Sequence, residues 1–575
     1  MMNRIQALRE DFKALPTALK TALSQTQREF VTVGVFSMVI NGLMLMPSLY
    51  MLQIYDRVMI SQNDITLLAS TVLLVAVLAL VGAVEVMRAR LLVRTGIKLD
   101  QSLSPSLFSA CFAAQQAKAQ SNPTQVFTDV TQIRQFLTGN GVFAFFDAPW
   151  FFIYLGVLFL LHPMLGWLGL GCAAVLLGLA WLGHRLTAAP SKRALDAGIE
   201  LNADQLSKFR NAEAIEAMGM LTRLRASWWQ RYQDQAHAQA HVDHVSHTLS
   251  AVSKFFRYTQ QSLSLGVGAL LVIRGELSPG AMIVANMLMT RALQPLDLMV
   301  SSWRMLMTTQ AALQRVVNLF NAHPERKPGH LSQTPFGQIE FKAVSVTVPG
   351  RTEPILNQVS LVIPAGRVVC VVGPSASGKS TLARAILGQW PEHTGDILLD
   401  SAPIEHWNSQ SLGQHVGYLP QDVRLMDGTL AQNIARFAQL DSDQVVAAAK
   451  TAGIHAMVLS FAKGYDTPAG EAGHLLSAGQ RQRLALARAL YGNPTLVVLD
   501  EPNANLDDPG EQGLLQAVTQ LKAEGKTVVL ITHRQPILDI SDLLLVMQAG
   551  RVAQFGPTAE VLARMRPTST PTSAA

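Results

Sequence analysis

Hydrophobic positions follow two regimes along the chain. Up to about residue 320 they come in long runs or at helical spacing, and after residue 337 in short runs closed by glycine, proline or charge. In residues 1–30, Ile5, Leu8, Phe12, Leu15, Leu19 and Leu23 recur at helical spacing among Arg4, Arg9, Lys13, Lys20 and Arg28. This predicts an amphipathic helix along a membrane surface, with Pro16 as a break. The apolar run starting at Phe30 has no small-residue cleavage site after it, so it predicts a retained span rather than a cleaved signal peptide. Six runs long enough, with their flanks, to cross a bilayer are expected at about 31–55, 65–84, 142–161, 164–183, 255–274 and 277–297. The third and fourth are parted by His162 and Pro163, and the shorter fifth and sixth by Arg274, Gly275 and Glu276.

Charge orients this pattern. Residues 85–147 hold six Lys or Arg and residues 184–257 hold ten, while the alternate loops hold one (Arg57), none and one (Arg274). Both termini and the two long loops are therefore expected in the cytoplasm, the loops as helical rods below the membrane. Composition agrees: 49% of residues are apolar and 15% charged, against about 25% charged in soluble proteins. The net charge of +6 is not gathered into a patch, so no nucleic-acid partner is expected. Cys111, Cys172 and Cys370 form no CxxC pair and suggest neither disulfides nor zinc.

Residues 321–337 (NAHPERKPGHLSQTPFG) lack periodicity and read as a linker, 338–566 as a soluble domain, and 567–575 as a Pro/Ser/Thr tail. Within the soluble domain the runs 368–372, 496–499 and 527–531 predict parallel strands buried on both faces, each ending in chemically loaded residues. The first runs into GPSASGKS (Gly373, Pro374, Ser375, Ala376, Ser377, Gly378, Lys379, Ser380), followed by Thr381. This fits the GxxxxGK[ST] loop, whose backbone N–H groups wrap phosphates while the lysine reaches the outer ones and the hydroxyl holds Mg²⁺. The glycines let the backbone approach the anion, and the helix beginning near Lys379 aims its positive end there. The second strand delivers Asp500 and Glu501, expected to support Mg²⁺ and to orient the attacking water. The third delivers His533, placed to meet the γ-phosphate.

Leu476–Gln480 (LSAGQ) with Arg481–Arg483 resembles the signature of ATP-binding cassette transporters. Gln421 resembles their Q-loop glutamine, which adds it to the Mg²⁺ set of Ser380 and Asp500, Ala504–Asp507 their D-loop and His533 their switch histidine. The resemblance implies an α-helical six-span transmembrane domain of the type I exporter kind followed by an α/β P-loop nucleotide-binding domain. It also implies a homodimer in which Ser477, Gly479 and Gln480 of one chain close over the ATP of the other. Residues 47–58, 145–166, 211–220 and 291–297 resemble type I protein secretion exporters, in the branch for repeat-in-toxin proteases, lipases and haem-binding proteins. That implies a bacterial inner-membrane pump working with a periplasmic membrane-fusion adaptor and an outer-membrane channel, amid membrane lipid. Its substrate would be an unfolded polypeptide with an uncleaved C-terminal signal. About 30 residues without a cysteine stand ahead of the first expected span, so the protease domain of peptide-processing exporters is not expected. The stretch 211–220 is the expected coupling helix.

Exporters of small molecules, lipids or peptides would share every cassette motif, so that alternative stays open at this point. A membrane regulator that only binds ATP is disfavoured by intact Lys379, Asp500, Glu501 and His533. His237, His241, His244 and His247 share one side of a helix, a spacing that can bind metal but also suits a solvated rod face. Val348 stands where the family usually places an aromatic residue against adenine, so affinity is expected to rest on the phosphates.

Overall fold

The computed structural model describes residues 16–116, 123–324, 329–347, 353–390 and 393–565. The chain divides into two units, Met1–Glu325 and Arg326–Ala575, parting inside the stretch read as a linker.

The described part of the first unit is helical. Helix α1 (Thr17–Leu43) begins directly after Pro16 and runs unbroken past residue 30. Residues 17–30 thus run into the first expected span as one continuous helix; residues 1–15 lie outside the described residues. The reason is packing: Leu19 and Ala22 are buried with Leu99, Leu103 and Leu107 of α2 (Asp64–Gln116). An apolar face that suits a membrane surface is here covered by a neighbouring helix. The first expected span ends in a π-helical turn, Ile54–Val58. Its Asp56 accepts hydrogen bonds from Ser278 Oγ (2.5 Å) and Gly280 N (2.8 Å), across more than two hundred residues of chain. These groups sit at the start of Pro279–Ala322, so a carboxylate meets the positive end of a helix.

After α2 come α3 (Pro123–Thr138), α4 (Trp150–Leu161), α5 (Pro163–Arg210), α6 (Leu221–Ile273) and α7 (Pro279–Ala322). The 53 residues of α2 and of α6 rise about 80 Å at 1.5 Å per residue, far more than a bilayer core of about 30 Å. The expected rods are these extensions. Among the described residues three helices are long and apolar enough to span: Thr17–Ser61, Asp64–Gln116 and Pro163–Arg210, with Phe145–Leu161 a shorter apolar segment. The helices of the fifth and sixth expected spans fall short of that apolarity. Buried Ser253, Gln260 and Ser264 on α6, and Thr309 on α7, place polar groups among their packed positions. Near the rods' far end, fully buried Asp129 of α3 takes a bidentate pair of hydrogen bonds from Arg315 of α7, at 2.8 and 2.7 Å. Breaking so buried a pair costs about 3–5 kcal/mol.

The second unit carries two sheets. Strands β1 (Ile339–Val346), β2 (Leu356–Ile363), β4 (His393–Leu399) and β5 (Ala402–Pro403) form an antiparallel sheet in the order β2-β1-β4-β5. The second sheet runs β10-β9-β3-β8-β7-β6, with β3 (Val368–Val372), β6 (Val416–Leu419), β7 (Leu496–Asp500), β8 (Thr527–Ile531), β9 (Leu543–Gln548) and β10 (Arg551–Pro557). Its strands are parallel except for β10. The expected strands 368–372, 496–499 and 527–531 are β3, β7 and β8, side by side. Their unbroken apolar character follows from two cores. Val368, Cys370, Val497, Leu499, Val528 and Leu530 face one cluster, and Val369, Val371, Leu496, Val498, Val529 and Ile531 the other. Burial pushes the Cys370 thiol up to about 11, so it is an inert core group.

Candidate nucleotide site

The parallel strands β3, β8 and β7 end at one edge, and every expected catalytic group of the second unit follows one of those ends. After β3 the chain turns through residues 373–378 into helix α8 (Lys379–Ile386). Gly373 and Gly378 adopt φ of +154° and +98°. A side chain at Gly373 would strike the Met547 carbonyl, and one at Gly378 would lie 3.0 Å from Leu356 and 3.1 Å from the Ile355 carbonyl. Both glycines are therefore required by the protein's own neighbouring backbone as well as by any anion in the loop. Pro374, Ser375 and Ala376 are exposed on the loop's rim, Ser377 is buried with its hydroxyl unpartnered, and Thr381 lies in the first turn of α8.

Lys379 folds back over this loop, donating to the carbonyls of Gly373 (2.7 Å) and Pro374 (2.9 Å). Ser380 donates its hydroxyl to Asp500 Oδ1 at 3.2 Å, while Asp500 Oδ2 is buried without a partner. Asp500 is only 1% exposed. Burial, reinforced by the neighbouring Glu501, holds its carboxyl above the usual range against the pull of Ser380, Arg384 and Lys379. Glu501 turns into the left-handed region (φ +50°), its N–H held by the Ile531 carbonyl at 3.0 Å. Its carboxylate accepts from Gln421 Nε2 at 3.1 Å. The side chains of Ser380, Asp500, Glu501 and Gln421, drawn from three separated stretches, thus form two linked pairs at one sheet edge.

His533 follows β8 by two residues and is exposed. Thr532 beside it is anchored to Asn503 Oδ1 at 2.9 Å, which ties its strand end to the loop after Glu501. That anchor was not legible in the sequence; a threonine after an apolar run has no motif to mark it. Ser477, Gly479 and Gln480 begin helix α9 (Ala478–Leu490) through a capping box: Ser477 Oγ accepts from Gln480 N, and Gln480 Oε1 from Ser477 N. Among the described residues, no hydrogen bond links them to the phosphate loop of their own chain. Val348 lies outside the described residues.

In the first unit, 211–220 forms the short helix Ala212–Ala217 at the turn between α5 and α6, with Met218 67% exposed. His237, His241, His244 and His247 lie on α6. Among the described residues no group of three or more His, Cys, Asp or Glu is arranged to hold a metal. Asp243, the acid between these histidines, instead receives Gln239 Nε2 at 3.1 Å.

Comparison with known proteins matches residues 30–296 to the ABC transporter transmembrane region and 356–504 to the ABC transporter family. The chain is 42% identical over 546 residues to the type I secretion system ATP-binding protein PrsD of Rhizobium meliloti (strain 1021), covering 95% of this chain and 94% of that one. It is 27% identical to the exotoxin translocation ATP-binding protein PaxB of Pasteurella aerogenes, over 94% of this chain and 77% of that one. The structure of a bacterial Atm1-family ABC exporter with ATP bound is similar in fold, with a TM-score of 0.81 at 22% identity over 94% of this chain and 96% of the other.

Proposed function

The chain belongs to the family of ABC transporters and hydrolyses ATP to drive transport, and from that premise we propose that it is the exporting pump of a type I secretion system. The observation that carries this reading is the near full-length identity to a secretion ATP-binding protein, which includes the membrane-embedded half that a small-molecule exporter would not need to share. The cargo is an unfolded protein with a C-terminal secretion signal. The pump is a homodimer of six-span chains in the inner membrane with both termini cytoplasmic, joined by a periplasmic adaptor and an outer-membrane channel. The domain plan is 31–320 for the spans and rods, 321–337 for the linker and 338–566 for the ATPase.

In the ATPase, the backbone of residues 373–381 wraps the phosphates and Lys379 leaves its carbonyls to meet their outer oxygens. The donor set of Ser380, Asp500 and Gln421 suits Mg²⁺, a hard cation held by oxygen, and the unpartnered Asp500 Oδ2 fits such a ligand. When bound, that ion neutralises phosphate charge. Glu501 orients the attacking water and accepts its proton, and His533 approaches the γ-phosphate from the neighbouring strand end. Ser477, Gly479 and Gln480, free of their own chain's loop, close over the partner's nucleotide, so the ATP-bound pair is tight and hydrolysis releases it.

The test is the ATPase rate of the full chain in lipid nanodiscs, with an unfolded polypeptide carrying a C-terminal secretion signal. Saturable stimulation that is lost when the signal is deleted is expected. Stimulation by lipids or small molecules, with none by the polypeptide, would overturn the assignment.

A further inference from the structure

Gly479, Gln482 and Arg483 are spaced three and one apart on α9, which places them on one face of that helix. The face lies against the loop that follows β7. A side chain at Gly479 would meet the Asn505 carbonyl at 2.7 Å, so the helix starts against bare loop backbone. Arg483 Nη1 stands 3.9 Å from Asp507 at the loop's far end. Between them Gln482, 2% exposed, points its amide Nε2 at the carbonyls of Glu501 (3.4 Å) and Pro502 (3.3 Å).

Burying an amide is unfavourable unless it is hydrogen-bonded, and the partners of Gln482 Nε2 are the carbonyls of Glu501 and of the residue after it. Glu501 holds a left-handed backbone there that a non-glycine residue adopts only under constraint. Its carbonyl also accepts from Ala504 N at 3.1 Å and its N–H is bound to the Ile531 carbonyl, so the peptide units on both sides of the Glu501 Cα are held.

We propose that Gln482 is a positioning residue for hydrolysis. Through the Glu501 and Pro502 carbonyls it sets the direction in which the Glu501 carboxylate leaves the backbone, and it links that direction to the helix begun by Ser477. The proposal rests on the reading of Glu501 as the water-orienting group. It has a structural consequence: the helix whose N-terminus completes the partner's site holds the catalytic carboxylate of its own.

The experiment is steady-state ATPase kinetics on full-length Gln482→Leu and Gln482→Met, which keep the side chain's bulk but remove its donor. The expected result is a kcat lower by about tenfold with the KM for ATP within about twofold, because the interaction acts on the reacting arrangement and not on nucleotide binding. In a Glu501→Asp background the same changes should cost markedly less than tenfold, as coupled residues do. Wild-type kcat in the Gln482 variants, or an undiminished loss in the Glu501→Asp background, overturns the proposal. Should Gln482→Leu fail to assemble, Gln482→Met gives the same readout. Normal turnover in Glu501→Gln by itself overturns the underlying reading of Glu501, whereas slow Glu501→Gln beside normal Gln482 variants overturns only the role of Gln482.

Discussion

Asp500→Asn should make the nucleotide-free protein more stable while nearly abolishing its activity. The side chain is 1% exposed, one oxygen receives the Ser380 hydroxyl and the other has no partner. An unsatisfied buried acceptor costs about 1–3 kcal/mol, more when it is charged. Asparagine keeps the acceptor for Ser380 and removes the charge, but leaves an amide N–H pair in need of partners. The net gain is about 1 kcal/mol, which for a domain of this size raises the unfolding midpoint by about 2–4 °C. Burial holds the folded pKa of Asp500 above its unfolded value. The sign is therefore opposite to that of a salt-bridged carboxylate. Above the folded pKa the charge opposes folding, and that opposition fades as pH falls through the folded pKa toward the ordinary carboxylate value. The stability advantage of Asp500→Asn should narrow on acidification across that window. Under the role proposed for Asp500 at Mg²⁺, losing the carboxylate removes several kcal/mol of charge stabilisation, hence about a hundredfold or more in kcat. Scanning calorimetry of the full chain without nucleotide, with EDTA and ATP, and with Mg²⁺ and ATP separates these effects. The stabilisation that Mg²⁺ adds to ATP should be present in the wild type and absent in the variant. A nucleotide-free Asp500→Asn protein that melts several degrees lower, or that keeps a tenth of its Mg²⁺-dependent turnover, would refute the reasoning, since the first outcome means that the carboxylate serves the fold and the second that the ion does not need it.

Glu501→Gln should retain ATP binding, measured with a fluorescent nucleotide, while kcat falls by about 10²–10⁴, the usual worth of a positioned acid or base. Ser477→Arg should abolish hydrolysis in the homodimer, because a bulky cation at the exposed start of α9 blocks closure over the partner's phosphates; mixed dimers with Lys379→Ala in the other chain then show which site fires, and full activity in isolated monomers would contradict the composite site. Val348→Tyr should lower the KM for ATP with kcat little changed, since stacking on a base is worth about 1–3 kcal/mol and is uniform through the reaction; unchanged affinity in a binding titration would place the adenine elsewhere.

Much of the site was legible because its residues are forced by local chemistry. A glycine loop between an apolar run and a helix, or a pair of carboxylates closing a strand, is a short-range pattern, and strands β3, β7 and β8 lie where their unbroken apolar character puts them. The membrane half was legible as apolar length, and the rods as polar helical continuation. Less legible was anything set by which surfaces meet. Of the apolar stripe expected over residues 5–23, Leu19 packs against α2, a contact that its helical spacing does not encode. The polar residues packed inside α6 weakened a span signal that depends on average apolarity.

By itself, then, the sequence determined the candidate groups and their order along the chain: glycine loop, Gln421, the LSAGQ stretch, paired carboxylates and His533, each a local pattern. The tertiary structure decided what those groups do to one another. Gln421 reaches Glu501 across 80 residues and Ser380 reaches Asp500 across 120, and Asp500 is left with one oxygen open. It also decided that Gly373 must be bare because the Met547 carbonyl passes beside it, and that Gln482 donates to the Glu501 carbonyl. Such pairings depend on distances between chain-remote atoms, fixed only when the parallel strands bring their ends to one edge, and no spacing along the chain encodes them.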